Sequence, residues 1–190
     1  MRKIIVGVTG ASGSIYGITL VKQLLKRQIE VHMVCTENGK KVMEYEMEKN
    51  YETIVNELKK DHINLKLHNI EDLFSPIASG SFKTSAMVIV PCSMATLAEI
   101  SNGISNNLLC RAADVCIKEK RKLIIVPRET PLSTIHLNNM LNLSKAGVTI
   151  LPAMPGFYNR PRSIEDIVNF IVGRILDELE IDNDLFKRWG

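Results

Sequence analysis

Unbroken apolar runs rich in β-branched residues recur along the chain, at Lys3–Thr9, Glu30–Cys35, Ala86–Pro91, Lys122–Pro127 and Val148–Leu151. Runs without polar alternation suit parallel strands covered on both faces. Between them the apolar spacing becomes helical. Ser14–Arg27 carries Ile15, Ile18, Val21, Leu24 and Leu25, and Met94–Lys120 is helical with a break around Gly103. Ser133–Ala146 ends at Gly147, a C-cap glycine, and Ser163-Ile164-Glu165-Asp166 is a capping box opening a helix to about Leu179. Strand alternating with helix predicts an α/β fold, a doubly wound parallel sheet in three layers. Ligands on such sheets sit at the carboxyl ends of the strands. The places to look for chemistry are therefore Gly10–Gly13, Cys35–Glu37, Cys92–Thr96, Arg128–Pro131 and Pro152–Tyr158.

Composition narrows the class. The length of 190 residues fits one domain, taken as 1–180, with a C-terminal tail, 181–190. The net charge of +3, without an extended Lys/Arg run, argues against nucleic acid and suits a small phosphorylated ligand. Cys35, Cys92, Cys110 and Cys116 form no Cys-x-x-Cys pair and the histidines are scattered, so neither a metal site nor a disulfide framework is expected. The apolar run after Met1-Arg2-Lys3 is too short for a signal h-region of ~7–15 residues, and no segment approaches the ~18 of a membrane span. A cytoplasmic protein with reduced thiols is the expectation.

Five loops could carry chemistry. Gly10–Gly13 follows the first strand and opens a helix whose free N–H groups would meet a phosphate. Its spacing, Gly7-x-x-Gly10-x-x-Gly13, differs from the Gly-x-Gly-x-x-Gly dinucleotide fingerprint, and a plain tight turn is the competing reading. The second strand ends at Thr36, which suits a hydroxyl or amide contact better than a ribose diol, with Glu37 one residue later. Ser75–Ser81 wraps hydroxyls around Gly80 and is either an anion loop or a flexible one. Ser93, opening Ser93-Met94-Ala95-Thr96, is a natural N-cap, while Cys92 reads as a buried thiol rather than a nucleophile. Arg128-Glu129 stands between Pro127 and Pro131, either as a solvated ion pair or as site residues. Tyr158 and Arg174 form the fifth group, and Arg111, Lys118, Arg128 and Arg174 could converge across a subunit contact. There is no Gly-x-Ser-x-Gly elbow, no Gly-Lys-Ser/Thr P-loop and no Asp-rich run to hold magnesium.

In order and spacing, these loops resemble the flavin prenyltransferases of the UbiX/Pad1 family. The matching stretches are Thr9–Gly13, Ala78–Ser81, Pro91–Ser93, Asn107–Lys120, Pro127–Pro131, Ile135–Leu137, Pro155–Tyr158 and Arg188-Trp189-Gly190. The resemblance implies a Rossmann-like or flavodoxin-like sheet, assembled as a dodecamer. It implies metal-free joining of a dimethylallyl group, from dimethylallyl phosphate, to N5 and C6 of reduced FMN. The prenylated FMN then serves a partner decarboxylase. By the same resemblance Gly10, Ala11, Ser12, Thr36, Ser93, Met94, Ala95, Thr96 and Arg128 hold FMN. Tyr158 and Arg174, with Arg111, Lys118 and Glu129, hold the donor phosphate, and Ser12, Glu46 and Glu129 move protons. Leu73 and Phe74 stand where members can carry Trp, and Met94 and Ala95 replace smaller or more polar residues. Two other readings stay open: an FMN-dependent cysteine decarboxylase of the related group, and a non-catalytic FMN-binding decarboxylase subunit.

Overall fold

The computed structural model describes residues 2–60 and 63–189, which leaves Gly190 of the tail motif outside the described residues. In chain order the elements are β1 (Lys3–Val8), α1 (Ser14–Lys26), β2 (Glu30–Cys35), α2 (Glu37–Met47), α3 (Tyr51–Lys59) and β3 (Leu65–His68). A single 3-10 turn at Pro76–Ala78 precedes β4 (Ala86–Cys92), α4 (Met94–Ser101), α5 (Leu108–Lys118), β5 (Lys122–Pro127), α6 (Thr134–Lys145), β6 (Thr149–Ile150) and α7 (Ile164–Glu178).

All strand pairs are parallel and the sheet order is β3-β2-β1-β4-β5-β6. The apolar runs become strands because both of their faces are covered. Ile4, Val6, Val8, Val31, Met33, Val88 and Val126 point to one side, where α1, α3 and α7 supply Val21, Leu24, Ile54, Val172 and Leu176. Ile5, Val34, Met87, Ile89, Leu123 and Ile125 point to the other, against Leu97 of α4 and Leu108, Leu109 and Cys116 of α5. Each fully buried aliphatic side chain contributes about 1.5–3 kcal/mol relative to exposure.

The expected helix across residues 94–120 is divided. It stops at Ser101, passes Gly103 in a left-handed conformation (φ +68°), and restarts at Leu108 behind an Asn107 cap that accepts from the Cys110 amide at 2.9 Å. The capping box at Ser163 forms as read, with Ser163 and Asp166 exchanging side-chain to backbone bonds. The sequence reading places no element between residues 36 and 85, whereas the structure has α2, α3 and β3 there. α2 buries only Gly39 and Met43, and β3 is a four-residue edge strand with one buried side chain, so neither leaves a strong hydrophobic period.

Candidate functional site

The sheet order reverses between β1 and β4, and the loops leaving these strands meet at their carboxyl ends. The Thr9 hydroxyl joins them. It donates to the Pro91 carbonyl at 3.0 Å and accepts from the Ser93 amide at 2.7 Å. Thr36 extends this rim by donating its amide to the Val8 carbonyl, and Arg128 by donating its amide to that of Cys92. Gly10–Gly13, Thr36, Ser93–Thr96 and Arg128 are thus brought onto one rim, as their positions after β1, β2, β4 and β5 require.

Gly13 caps α1 at φ +110°, a conformation that favours glycine. The amides that follow are not left for a ligand. Glu46, in the last turn of α2, reaches back so that Oε1 accepts from the Gly13 amide at 2.9 Å and Oε2 from the Ser14 amide at 2.8 Å. Burial works against its charge, but the Ser12 hydroxyl and the two amides outweigh it and hold the carboxyl below its usual range. This corrects the expectation of a free helix start. The positive end of α1 attracts an anion, and the anion it holds is the protein's own carboxylate. The N-terminus of α4 also opens at the β1–β4 crevice, capped by Ser93, whose Oγ accepts from the Thr96 amide at 3.3 Å. Thr36 caps α2 in the same way, accepting from Gly39 at 3.0 Å. Ala95 is exposed on the rim while Met94 and Thr96 are buried.

Arg128 does not pair with Glu129. The exposed Glu129 carboxylate accepts from the neighbouring Thr130 amide at 3.0 Å, while Arg128 Nε is buried with no partner among the described residues. A buried guanidinium N–H without an acceptor is costly. Its position on the rim fits a polar, electron-rich group bound there, such as a flavin ring edge. With Glu129 bonded to the Thr130 amide and Arg128 Nε unpartnered among the described residues, a solvated ion pair does not describe this loop.

The other basic residues fall into two sets. On α5, Arg111 donates to the Ala78 carbonyl at 3.2 Å and to Asp114 at 2.8 Å, and Lys118 pairs with Glu119 at 2.7 Å. On α7, Arg174 donates to Asp177 at 3.3 Å, and the Tyr158 ring lies edge-on to Phe170 at 5.8 Å between centroids. α5 and α7 pack on opposite faces of the sheet. The convergence of Arg111, Lys118 and Arg174 therefore does not occur within one chain. Ser75–Ser81 is not a loose loop, since Arg111 and Arg121 hold the carbonyls of Ala78, Gly80 and Phe82. Phe74 beside it is fully exposed.

Cys92 is fully buried and burial raises its thiol pKa, while Cys35, Cys110 and Cys116 are pushed up to about 12, so none is a poised nucleophile. Two contributors escaped the sequence reading. Thr9 reads as the last residue of a strand, and Asp177 is not singled out. The spacing of Asp177 three residues after Arg174 was the available signal for the second.

Fold and rim together define a flavin-binding α/β protein, and the Flavoprotein family model matches residues 1–176. The chain is 51% identical over 189 residues to the flavin prenyltransferase UbiX of Alkalihalophilus pseudofirmus, covering 97% of this chain and 94% of that one. A crystal structure of AnUbiX (PadA1) in complex with FMN and dimethylallyl pyrophosphate superposes with a TM-score of 0.93 at 41% identity, over 100% of this chain and 97% of that one. The dodecameric FMN-dependent UbiX-like decarboxylase of Escherichia coli O157:H7 gives 0.93 at 44% identity, with both chains fully covered. The chain belongs to the UbiX family of flavin prenyltransferases. The peptidyl-cysteine decarboxylase EpiD, at 21% identity and a TM-score of 0.58 over 82% of this chain and 83% of that one, shares the fold alone.

Proposed function

We infer that this protein is a flavin prenyltransferase. It joins the dimethylallyl group of dimethylallyl phosphate to N5 and C6 of reduced FMN, releases phosphate, and passes the prenylated FMN to a partner decarboxylase. The observation that carries this reading is end-to-end similarity to flavin prenyltransferases, on a rim that presents an ionised carboxylate and an unpartnered buried guanidinium N–H. AnUbiX with FMN and dimethylallyl pyrophosphate supports the pairing of a flavin with an allylic phosphate.

Gly10, Ala11, Ser12, Thr36, Ser93, Met94, Ala95, Thr96 and Arg128 hold the flavin. Tyr158 and Arg174 hold the donor phosphate, with Arg111, Lys118 and Glu129 completing its pocket. Phosphate leaves readily once its charge is met by bidentate and charge-assisted hydrogen bonds, which Arg and Lys supply. Cations should grip the phosphate and stay clear of the allylic carbon, which gains positive character as its C–O bond breaks. The flavin's own electron-rich π face can stabilise such a carbon. Bond formation at N5 and C6 requires protons to be taken up and released. We assign Glu46 as their acceptor and Ser12 as its neighbouring donor, a role supported by the bonds that fix Glu46 against Ser12, Gly13 and Ser14. Holding both reactants in line supplies much of the rate, on the order of 7–11 kcal/mol at best.

Because α5 and α7 occupy opposite faces, a phosphate pocket containing Arg111, Lys118 and Arg174 needs residues from more than one chain. This supports a homo-oligomer, and the dodecamer of the Escherichia coli relative is the assembly we assign. Among the described residues no helix is long and apolar enough to cross a membrane and the four thiols are unpaired, which supports the cytoplasm as its compartment.

The test is anaerobic incubation with reduced FMN and dimethylallyl phosphate, followed by mass spectrometry of the flavin. A five-carbon adduct is expected, and it is lost in Glu129→Ala and Arg174→Ala while FMN stays bound. Unmodified flavin together with carbon dioxide release from a C-terminal cysteine peptide would assign the protein to the cysteine decarboxylases instead.

A further inference from the structure

Residues 181–189 fold back onto α7. Gly173 makes this possible, because a Cβ there would lie 2.5 Å from the Phe186 ring. Phe186 also meets Phe170 edge-on at 5.1 Å. The Asp177 carboxylate then ties the tail down, accepting from Arg188 at 2.7 and 3.1 Å and from Asn183 at 2.9 Å. Trp189 comes to rest edge-on against Tyr158, 5.4 Å between centroids.

The docked tail forms one wall of a cleft of about 610 Å³, and the loop Tyr158-Asn159-Arg160 forms the other. Arg160, Lys187 and Arg188 line it and no carboxylate does. Arg188 is neutralised by Asp177, but Arg160 and Lys187 make no ion pair among the described residues. Asn159 Nδ2 is buried there with no hydrogen-bond acceptor among the described residues. Two uncompensated cations and an idle amide donor, all beside Tyr158, make a site for a doubly charged anion.

We propose that this cleft is part of the donor's phosphate site, with Arg160 and Lys187 as further phosphate ligands and Asp177 as the residue that positions Arg174. The proposal rests on the reading above that Tyr158 and Arg174 bind the donor phosphate. A phosphomonoester carries roughly −1.5 to −2 at neutral pH, matching the two free cations. Arg188 holds Asp177 by two short bonds, whereas Arg174 holds it by one at 3.3 Å. The weaker link gives way, so Arg174 turns to the phosphate while Asp177 remains balanced and the tail stays docked.

The experiment is anaerobic adduct kinetics on wild type and on Arg160→Asn combined with Lys187→Gln. Asn tolerates the left-handed backbone of Arg160 (φ +52°), and both side chains are exposed, so the double variant should fold. Two lost charge-assisted bonds raise KM for dimethylallyl phosphate roughly a hundredfold. The affinity for reduced FMN is unchanged, kcat falls as well because the leaving phosphate loses part of its charge compensation, and inhibition by inorganic phosphate weakens in proportion to the rise in KM. Arg160→Lys with Lys187→Arg restores most of the loss. An unchanged KM, or a fall in kcat alone, overturns the proposal while leaving prenyl transfer standing. If wild type forms no adduct, it is the prenyl-transfer reading that fails. Calorimetry with inorganic phosphate on both proteins then decides the cleft: weaker binding by the double variant supports it, and equal or absent binding overturns it.

Discussion

Glu46 shows what one side chain can do at this rim. Its carboxylate is ionised because the Ser12 hydroxyl and the Gly13 and Ser14 amides stabilise the charge against burial. Glu46→Gln keeps the shape and removes the proposed proton acceptor. Adduct formation should fall by about 10²–10⁴-fold with FMN still bound, as single-turnover flavin spectra would report. A second set of titrating residues lies on β2 and β3. His32 Nδ1 bonds His68 Nε2 at 2.9 Å, His32 Nε2 meets Glu30 at 2.7 Å, and His68 Nδ1 meets the Ser75 hydroxyl at 2.7 Å, with Lys3, Lys66 and Asp72 as the surrounding charges. Burial lowers both imidazole pKa values, against the pull of Glu30 on His32 and of Asp72 on His68. The unfolded chain therefore takes up protons first as pH falls below its ordinary value of 6.5. Stability from this pair is complete above that pH and is lost below it. Urea midpoints should drop between about pH 7.5 and 5.5, and His68→Gln should flatten the slope. Parallel slopes would remove the pair from the account. Residue types on the rim were legible in the sequence, since loops after strands can be read one by one. The contact of Glu46 with Gly13 was not, because it spans 33 positions and depends on how α2 packs.

At the scale of elements, the strongly apolar strands and α1, α6 and α7 could be read from their periods and caps. α2, α3 and β3 could not, because they are short, charged and half-exposed, and tertiary packing rather than propensity holds them. The tail is the element whose function was least visible. Its docking depends on Gly173, a helical glycine that carries no signal on its own. Gly173→Val should expel Phe186 and free residues 181–189. Trypsin would then cleave after Lys187 and Arg188 at least roughly tenfold faster than in wild type, with the core of the protein intact. Unchanged cleavage would mean the tail is held by other contacts.

The whole molecule poses a problem that one chain does not solve. Arg111 and Lys118 lie on one side of the sheet and Arg174 on the other, so the phosphate pocket proposed above would be completed only by assembly. α6 offers a surface for it. Between Ser133 and Ser144 there is no Asp, Glu, Lys or Arg and His136 is the one titratable side chain, while Ile135, Leu137 and Leu141 are 70%, 52% and 51% exposed. Leu137→Glu with Leu141→Glu should lower the assembled mass in analytical ultracentrifugation and abolish adduct formation, with the far-ultraviolet spectrum unchanged. Retained assembly would place the contact elsewhere. The central claim is that FMN is a substrate which leaves altered. The direct measurement is anaerobic turnover with a large excess of reduced FMN and dimethylallyl phosphate, then mass spectrometry of the flavin that passes an ultrafiltration membrane. The account predicts prenylated FMN in the filtrate at many equivalents per chain. Unmodified FMN in the filtrate, at any donor concentration, would contradict it.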